Sequence, residues 1–266
     1  MFDLYNRNIN YLRISVTDRC NLRCLYCIPE EGVTLLNHSD ILSFEKITEF
    51  VNEAVKFGIN KVRITGGEPL VRKGIVDLVK MLSSIKEIND LSMTTNAQLL
   101  QEFAKPLFDG GLHRLNISLD AINPEKYSII TRGGDINKSL NGISEARKVG
   151  FNRIKINCVI KNSSLEPDAQ DVKQYCQNQG FEIRYIKQMN LQEGTFSVVE
   201  GGDGGHCATC NRLRLTANGK LKPCLFNNIE FDINKIGIQE AIKQAIAKKP
   251  KCGSVNQVNE FNNIGG

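Results

Sequence analysis

The sequence predicts an α/β fold, an incomplete TIM-type (βα)6 barrel followed by a small C-terminal domain. Two observations carry that expectation. Over residues 11–188, short β-branched runs alternate with amphipathic helical stretches. Such alternation implies a parallel sheet with right-handed crossovers. Three helical stretches end at Gly58, Gly150 and Gly180, each followed at once by a strand. Glycine just past a helix end supplies the left-handed cap.

The expected strands are residues 12–16, 61–65, 91–95, 114–119, 153–160 and 181–187. The first helix carries Phe44, Ile47, Val51, Ala54 and Val55 on one face, with Ser43 as its N-cap. The second carries Ile75, Leu78, Val79 and Leu82. Beyond Met189 the pattern breaks, and Gly201-Gly202-Asp203-Gly204-Gly205 forms a flexible loop. The domain boundary falls near residue 190, giving units 1–189 and 190–266.

A chain of 266 residues can bury a full core. Hydrophobic content of 41% and charged content of 24% are ordinary for a soluble protein. A net charge of +5 suits an anionic substrate but lacks the dense basic stripe of a nucleic-acid binder. The N-terminus, Met1-Phe2-Asp3-Leu4-Tyr5-Asn6-Arg7, has no apolar signal core, and no stretch is long enough to span a membrane. The expectation is a cytoplasmic protein with no membrane or nucleic-acid partner. Its nine cysteines then read as reduced, and the six that fall into two triplets as metal-binding. Cys158 and Cys176 stand alone on expected core faces, as small buried hydrophobes.

Cys20, Cys24 and Cys27 have the spacing Cys-x3-Cys-x2-Cys. Three thiolates on one loop can hold three corners of a cubane iron–sulfur cluster, which four cysteines would saturate. The fourth iron stays open to a substrate or cofactor. The alternative, an incomplete zinc site, lacks a nearby second pair. The triplet follows the first strand, Thr65-Gly66-Gly67-Glu68-Pro69 the second, while Thr94-Thr95-Asn96 and Ser118-Leu119-Asp120 end the third and fourth. All would face one mouth, where barrels carry their chemistry. The glycine turn lets backbone approach a ligand closely. Its N–H and C=O groups suit the amino and carboxylate groups of an amino acid.

Cys207, Cys210 and Cys224 form a second triplet, Cys-x2-Cys-x13-Cys. Between them Arg212 and Arg214, two apart in an extended segment, point the same way. Two guanidiniums beside a metal site suggest a polyphosphate clamp. On these residues alone, a zinc ribbon completed by His206 or Cys252 stays equally open.

Cys-x3-Cys-x-Tyr-Cys followed by Gly-Gly-Glu-Pro resembles the radical S-adenosylmethionine superfamily. The resemblance implies a [4Fe–4S] cluster on Cys20, Cys24 and Cys27. It also implies S-adenosylmethionine on the open iron and its reductive cleavage to a 5′-deoxyadenosyl radical. The second triplet, the arginine pair and the ending Ile264-Gly265-Gly266 are similar to the GTP 3′,8-cyclase family of molybdenum cofactor biosynthesis. That similarity implies a second [4Fe–4S] cluster on Cys207, Cys210 and Cys224 that binds guanine. It implies a lyase that takes the 3′ hydrogen of GTP and joins C3′ to C8.

Carried over by position, the resemblance implies that Arg13, Gly265 and Gly266 take part in catalysis. Tyr26, Gly66, Gly67, Glu68, Ser118 and Met189 would hold S-adenosylmethionine. Arg13, Lys61, Arg63, Thr94, Lys155, Arg184, Arg212 and Arg214 would hold GTP, with Thr94 and Lys155 at the ends of strands three and five. For Lys155 and Arg184 the alternative is a salt bridge inside the barrel. The implied partners are GTP, an electron donor and a downstream cyclic pyranopterin synthase, with a homodimer as the assembly to test.

Some positions depart from the family pattern. Only 17 residues separate Met189 from Cys207, a shorter connection than the family's. Lys187-Gln188 replaces an acidic and aromatic pair, Ala97 stands for glycine, and Phe261 for methionine. A paralogue acting on a peptide, with an auxiliary cluster, is the competing enzyme. A zinc- or cluster-dependent binding protein is the non-catalytic alternative.

Overall fold

Side-chain alternation along the strands decides the architecture. In β1 (Tyr11–Ser15), Leu12 and Ile14 enter the hydrophobic core, while Tyr11 and Arg13 on the opposite face line a cavity. The same parity repeats in β2 (Lys61–Thr65), β3 (Asp90–Thr95), β4 (Arg114–Ser118), β5 (Ile154–Ile160) and β6 (Glu182–Lys187). Val62, Ile64, Leu91, Met93, Leu115, Ile117, Ile154 and Ile156 are core residues. The computed structural model describes every residue except 260, 265 and 266.

Strands β1 to β6 pair in sequence order, every pair parallel. The helices between them are α1 (Phe44–Lys56), α2 (Ile75–Ser83), α3 (Leu100–Asp109), α4 (Pro124–Thr131), α5 (Ile136–Lys148) and α6 (Pro167–Gln179). This is the partial TIM-type barrel that the sequence predicts. Ser43 caps α1, its Oγ accepting from Lys46 N at 3.2 Å. Gly58, Gly150 and Gly180 all have positive φ, as expected of residues that stop a helix. The apolar stripe of α1 (Ile47, Phe50, Val51 and Ala54) is buried. Each such large side chain contributes about 1.5–3 kcal/mol by leaving water. Cys158 and Cys176 are buried in this core, as expected.

The chain leaves the sheet after β6 and returns on the far edge. There β7 (Arg212–Leu215) runs parallel to β1, with Tyr11 opposite Arg212 and Arg13 opposite Arg214. Two short antiparallel strands, β8 (Lys220–Lys222) and β9 (Phe231–Asp232), complete a nine-stranded sheet. Helices α7 (Ile233–Ile236) and α8 (Ile238–Ala247) follow, and α8 buries Ile238, Ala241, Ile242, Ala245 and Ile246 in the main core. A second, small core joins Leu191, Leu225, Phe226 and Ile264, the last from α9 (Phe261–Ile264). Among the described residues no helix is long and apolar enough to cross a membrane.

Candidate active site

The first cysteine loop is clamped onto the end of β2. Gly67 N donates to Thr17 O (2.7 Å) and Glu68 N to Arg19 O (2.8 Å). A Cβ on Gly66 would meet Thr17 O at 2.5 Å, and one on Gly67 would meet Arg19 O at 2.2 Å. The space left by these glycines is therefore filled by the cysteine loop itself. The Glu68 carboxylate, fully buried, accepts from Thr95 Oγ1 (2.8 Å), Asn96 N (2.7 Å) and Leu70 N (3.1 Å). Burial outweighs those donors and pushes its pKa up to about 7.

A second brace crosses the sheet. Tyr26 OH donates to Asp120 Oδ2 (2.6 Å), while Val159 N donates to Asp120 Oδ1 (2.8 Å). Burial raises Asp120 to about 6 and holds the Tyr26 phenol well above its usual range. Asp120 carries this contact although the sequence shows it only as the end of a strand.

Cys20, Cys24 and Cys27 are half-buried thiols on this braced loop. Burial pushes Cys20 up to about 11, with the Glu68 charge adding to it. It pushes Cys24 up to about 12, reinforced by Asp120 and the other two thiols. Leu22 N points at Cys20 Sγ from 3.4 Å. Three soft donors that repel each other as thiolates fit an iron–sulfur cluster, which trades their protons for iron.

The second triplet sits among cations. Cys207, Cys210 and Cys224 line a cavity with Arg13, Arg63, Arg184, Arg212 and Arg214. Burial would raise Cys210, but Lys249, the Arg212 N–H and the two β7 arginines pull it below the usual thiol range. That cationic setting favours a thiolate at Cys210, whereas burial raises Cys207 and Cys224. Lys249, a buried residue that the sequence did not point to, donates to Arg212 O (2.7 Å) and Pro223 O (2.6 Å). Among the described residues no three His, Cys, Asp or Glu side chains converge where one metal ion could sit.

Strand register assembles the basic face. Arg63 lies opposite Arg13 and Ser92, Asn116 opposite Thr94 and Lys155, and Asn157 opposite Ser118 and Arg184. Burial and mutual repulsion lower Arg13 and Arg63 to about 9 and Arg214 to about 10. The Tyr11 ring lies 5.5 Å from the Arg63 guanidinium and 5.8 Å from that of Arg212. Burial would raise the Tyr11 phenol, but Arg63, Arg13, Arg114 and Arg212 hold it below its usual range. Among the described residues, Arg63 Nε, Arg184 Nε and Thr94 Oγ1 are buried without a hydrogen-bond partner. Buried cations with unmet donors suit an anion.

An adjoining cavity shares Tyr11, Arg63, Arg184 and Arg212 with the first and adds Lys61, Arg114 and Lys155. Lys155 is the second residue of β5, at the start of that strand and not its end. It makes the salt bridge that the sequence left open, to Glu182 at 2.5 Å. Glu182 is 64% exposed, so the pair contributes at most about 1 kcal/mol.

Met189 lines the arginine cavity and a further one bounded by Tyr26, Cys27, Leu191 and Phe261. It therefore stands between the two triplets. Helix α9 packs beside it, with Ile264 fully buried and Asn262 Nδ2 donating to Asp18 O (3.2 Å). Gly265 and Gly266 lie outside the described residues.

A parallel partial barrel with a braced cysteine triplet after its first strand is the arrangement of a radical S-adenosylmethionine enzyme. Residues 14–172 match the Radical SAM superfamily, and residues 155–254 match Molybdenum Cofactor Synthesis C. The GTP 3′,8-cyclase of Alkaliphilus oremlandii (strain OhILAs) is 40% identical over 299 residues, spanning 94% of this chain and 93% of that protein. The GTP 3′,8-cyclase of Petrotoga mobilis (strain DSM 10674 / SJ95) is 37% identical over 302 residues, spanning 94% of each. The chain belongs to the GTP 3′,8-cyclase family of the radical S-adenosylmethionine superfamily. Members of the superfamily use a [4Fe–4S] cluster and S-adenosylmethionine.

Both alignments are longer than this chain's 266 residues, so the relatives carry residues with no counterpart here. Among solved structures, Streptococcus suis SuiB bound to precursor peptide SuiA superposes with a TM-score of 0.65 at 15% identity. That match covers 91% of this chain and 65% of SuiB. Native anSMEcpe with bound AdoMet superposes with a TM-score of 0.64 at 15% identity, covering 90% of this chain and 81% of that one. At such identity these likenesses establish the fold alone.

Proposed function

We propose that this chain is a lyase that converts GTP to 3′,8-cyclo-7,8-dihydro-GTP in molybdenum cofactor biosynthesis. The observation that carries the reading is that Arg13, Arg63, Arg184, Arg212 and Arg214 line one cavity with the second cysteine triplet. A peptide substrate would not call for that density of positive charge, whereas a triphosphate would.

Cys20, Cys24 and Cys27 would hold a [4Fe–4S] cluster, which with S-adenosylmethionine would supply the radical chemistry for removing a ribose hydrogen. Gly66, Gly67, Glu68, Tyr26, Ser118 and Met189 would hold S-adenosylmethionine. Cys207, Cys210 and Cys224 would hold a second cluster. Arg212 and Arg214 grip the triphosphate, with Lys61, Arg63, Thr94, Lys155 and Arg184 along its path. Arg13, held at reduced basicity by burial, supports the later proton step. Gly265 and Gly266 take part in catalysis. Fixing GTP in one orientation directs the radical to one C–H bond among many.

Residues 1–189 and 190–266 form the two functional units. The enzyme is cytoplasmic, takes electrons from a protein or small-molecule donor, passes its product to a cyclic pyranopterin synthase and assembles as a homodimer. The test is anaerobic turnover of reconstituted protein with reductant and S-adenosylmethionine, measuring 5′-deoxyadenosine with and without GTP. GTP-dependent formation with loss of GTP supports the reading. Cofactor cleavage that ignores GTP overturns it.

A further inference from the structure

Cys252 belongs to neither triplet and is exposed. Its Sγ lies 3.2 Å from the Sγ of Cys207, 45 residues away in the chain. A buried arginine holds the two together. Arg7 Nη1 donates to Cys207 O (2.8 Å) and Lys251 O (3.2 Å), and Arg7 Nη2 donates to Pro250 O (2.7 Å). The Asp3 carboxylate grips the same guanidinium at 2.6 Å. One side chain thus pins the backbone of Cys207 and the two residues just before Cys252. On the other side, a Cβ on Gly253 would meet Phe226 Cβ at 2.8 Å, and Ser254 N donates to Phe226 O (2.8 Å).

Position argues against a fourth cluster ligand. Gly253 and the three cysteines of the triplet line the arginine cavity, but Cys252 does not. Cys252 is instead exposed. A disulfide needs an S–S distance of about 2.05 Å, so side-chain torsion has to close only about 1 Å.

We propose that Cys207 and Cys252 form a disulfide whenever the second triplet carries no cluster, a reversible lock that withdraws one ligand. A small disulfide such as glutathione disulfide is the oxidant. The exposed Cys252 thiolate attacks one glutathione sulfur, breaking its S–S bond and releasing one glutathione thiolate. The Cys207 thiolate then attacks the Cys252 sulfur and expels the second glutathione. Two electrons pass from the cysteine pair to the oxidant, and the two thiol protons end on the two glutathiones. The pairing does not depend on the proposed function; its effect on the cluster rests on Cys207 being a ligand.

The test uses the full chain freed of iron, incubated anaerobically with glutathione disulfide and mapped by mass spectrometry without reduction. A Cys207–Cys252 linked peptide, two hydrogens lighter than the separate thiols and lost on adding dithiothreitol, is expected. Cys252→Ser, a surface change, forms no such link. Arg7→Gln, which removes the pin, forms it at least tenfold more slowly. Recovery of Cys207 and Cys252 only as thiols or single glutathione adducts overturns the proposal. Iron uptake separates the two parts of the inference. The oxidised chain is expected to load about half the iron of the reduced chain. A linked peptide with unchanged iron uptake would overturn the lock and the ligand role of Cys207 together, leaving only the pairing.

Discussion

The Asn262 side-chain amide donates a 3.2 Å hydrogen bond to the backbone carbonyl of Asp18, two residues before Cys20. The same short helix buries Ile264 against Leu225 and Phe226, which follow the last cysteine of the second triplet. The C-terminal segment therefore joins the two cysteine sites. Ile264→Ala removes this anchor, at a local cost of about 2–4 kcal/mol. We expect 5′-deoxyadenosine formation to persist while GTP product falls at least tenfold. Deleting Gly265 and Gly266 should give the same split. Normal product yield from either variant would remove the tail from the mechanism.

Anion binding should stabilise the protein through the arginine face. Inorganic tripolyphosphate at 100 times its dissociation constant adds about 2.7 kcal/mol. The gain should shrink as salt rises. In Arg212→Ala/Arg214→Ala it should largely vanish. Thermal unfolding against tripolyphosphate concentration is the measurement, and an equal shift in the double variant would place the anion elsewhere.

Glu68 gives a signed pH dependence. Its folded pKa of about 7 stands above the ordinary 4.5, so the folded state holds this proton more tightly than the unfolded chain. The resulting stabilisation is complete below the unfolded value and is lost as pH rises through about 7. Glu68→Gln removes that titration, so its stability should fall less steeply across this window. It should also be lower by about 1–3 kcal/mol, because one amide oxygen cannot serve three donors. Urea unfolding at both ends of the window checks this. An unchanged slope would assign the dependence to Asp120, which titrates in an overlapping range at about 6.

Tyr26 and Asp120 should be energetically coupled. Tyr26→Phe leaves Asp120 Oδ2 without its 2.6 Å donor, a loss of about 1–3 kcal/mol. Asp120→Asn disturbs the same contact, so the double variant should cost less than the sum of the singles. Iron retention by the first triplet should weaken in both single variants. Additive losses with full iron content would show that the brace does not support the loop.

Ala97 carries φ of +62°, a left-handed conformation that favours glycine. Ala97→Gly relieves about 1–2 kcal/mol of backbone strain. Against this stand a lost buried methyl, about 0.8 kcal/mol, and a more flexible unfolded chain, about 0.4–1 kcal/mol. The expected net change is under about 1 kcal/mol in denaturant unfolding. A larger stabilisation would mean that the methyl is poorly packed.

Much of this was legible without coordinates. The six parallel strands, the capped α1 and the glycine stops follow from local patterns of period 2 and 3.6, which depend only on nearby residues. The cysteine spacings and the glycine turn carried the family. The parity of Tyr11, Arg13 and Ser15 against Leu12 and Ile14 was also present in the sequence, and it would have marked Tyr11 as a cavity residue.

By itself, then, the sequence determined the barrel units, the two cysteine triplets and the basic character of the site. Only the tertiary structure decided that β7 joins β1, that Asp120 meets Tyr26, that Lys155 pairs with Glu182, and that Arg7 holds Cys252 against Cys207. Each of these contacts joins residues that are remote in the chain. Local preference gives strands and helices, but which side chains meet depends on strand order, register and the packing of the whole sheet.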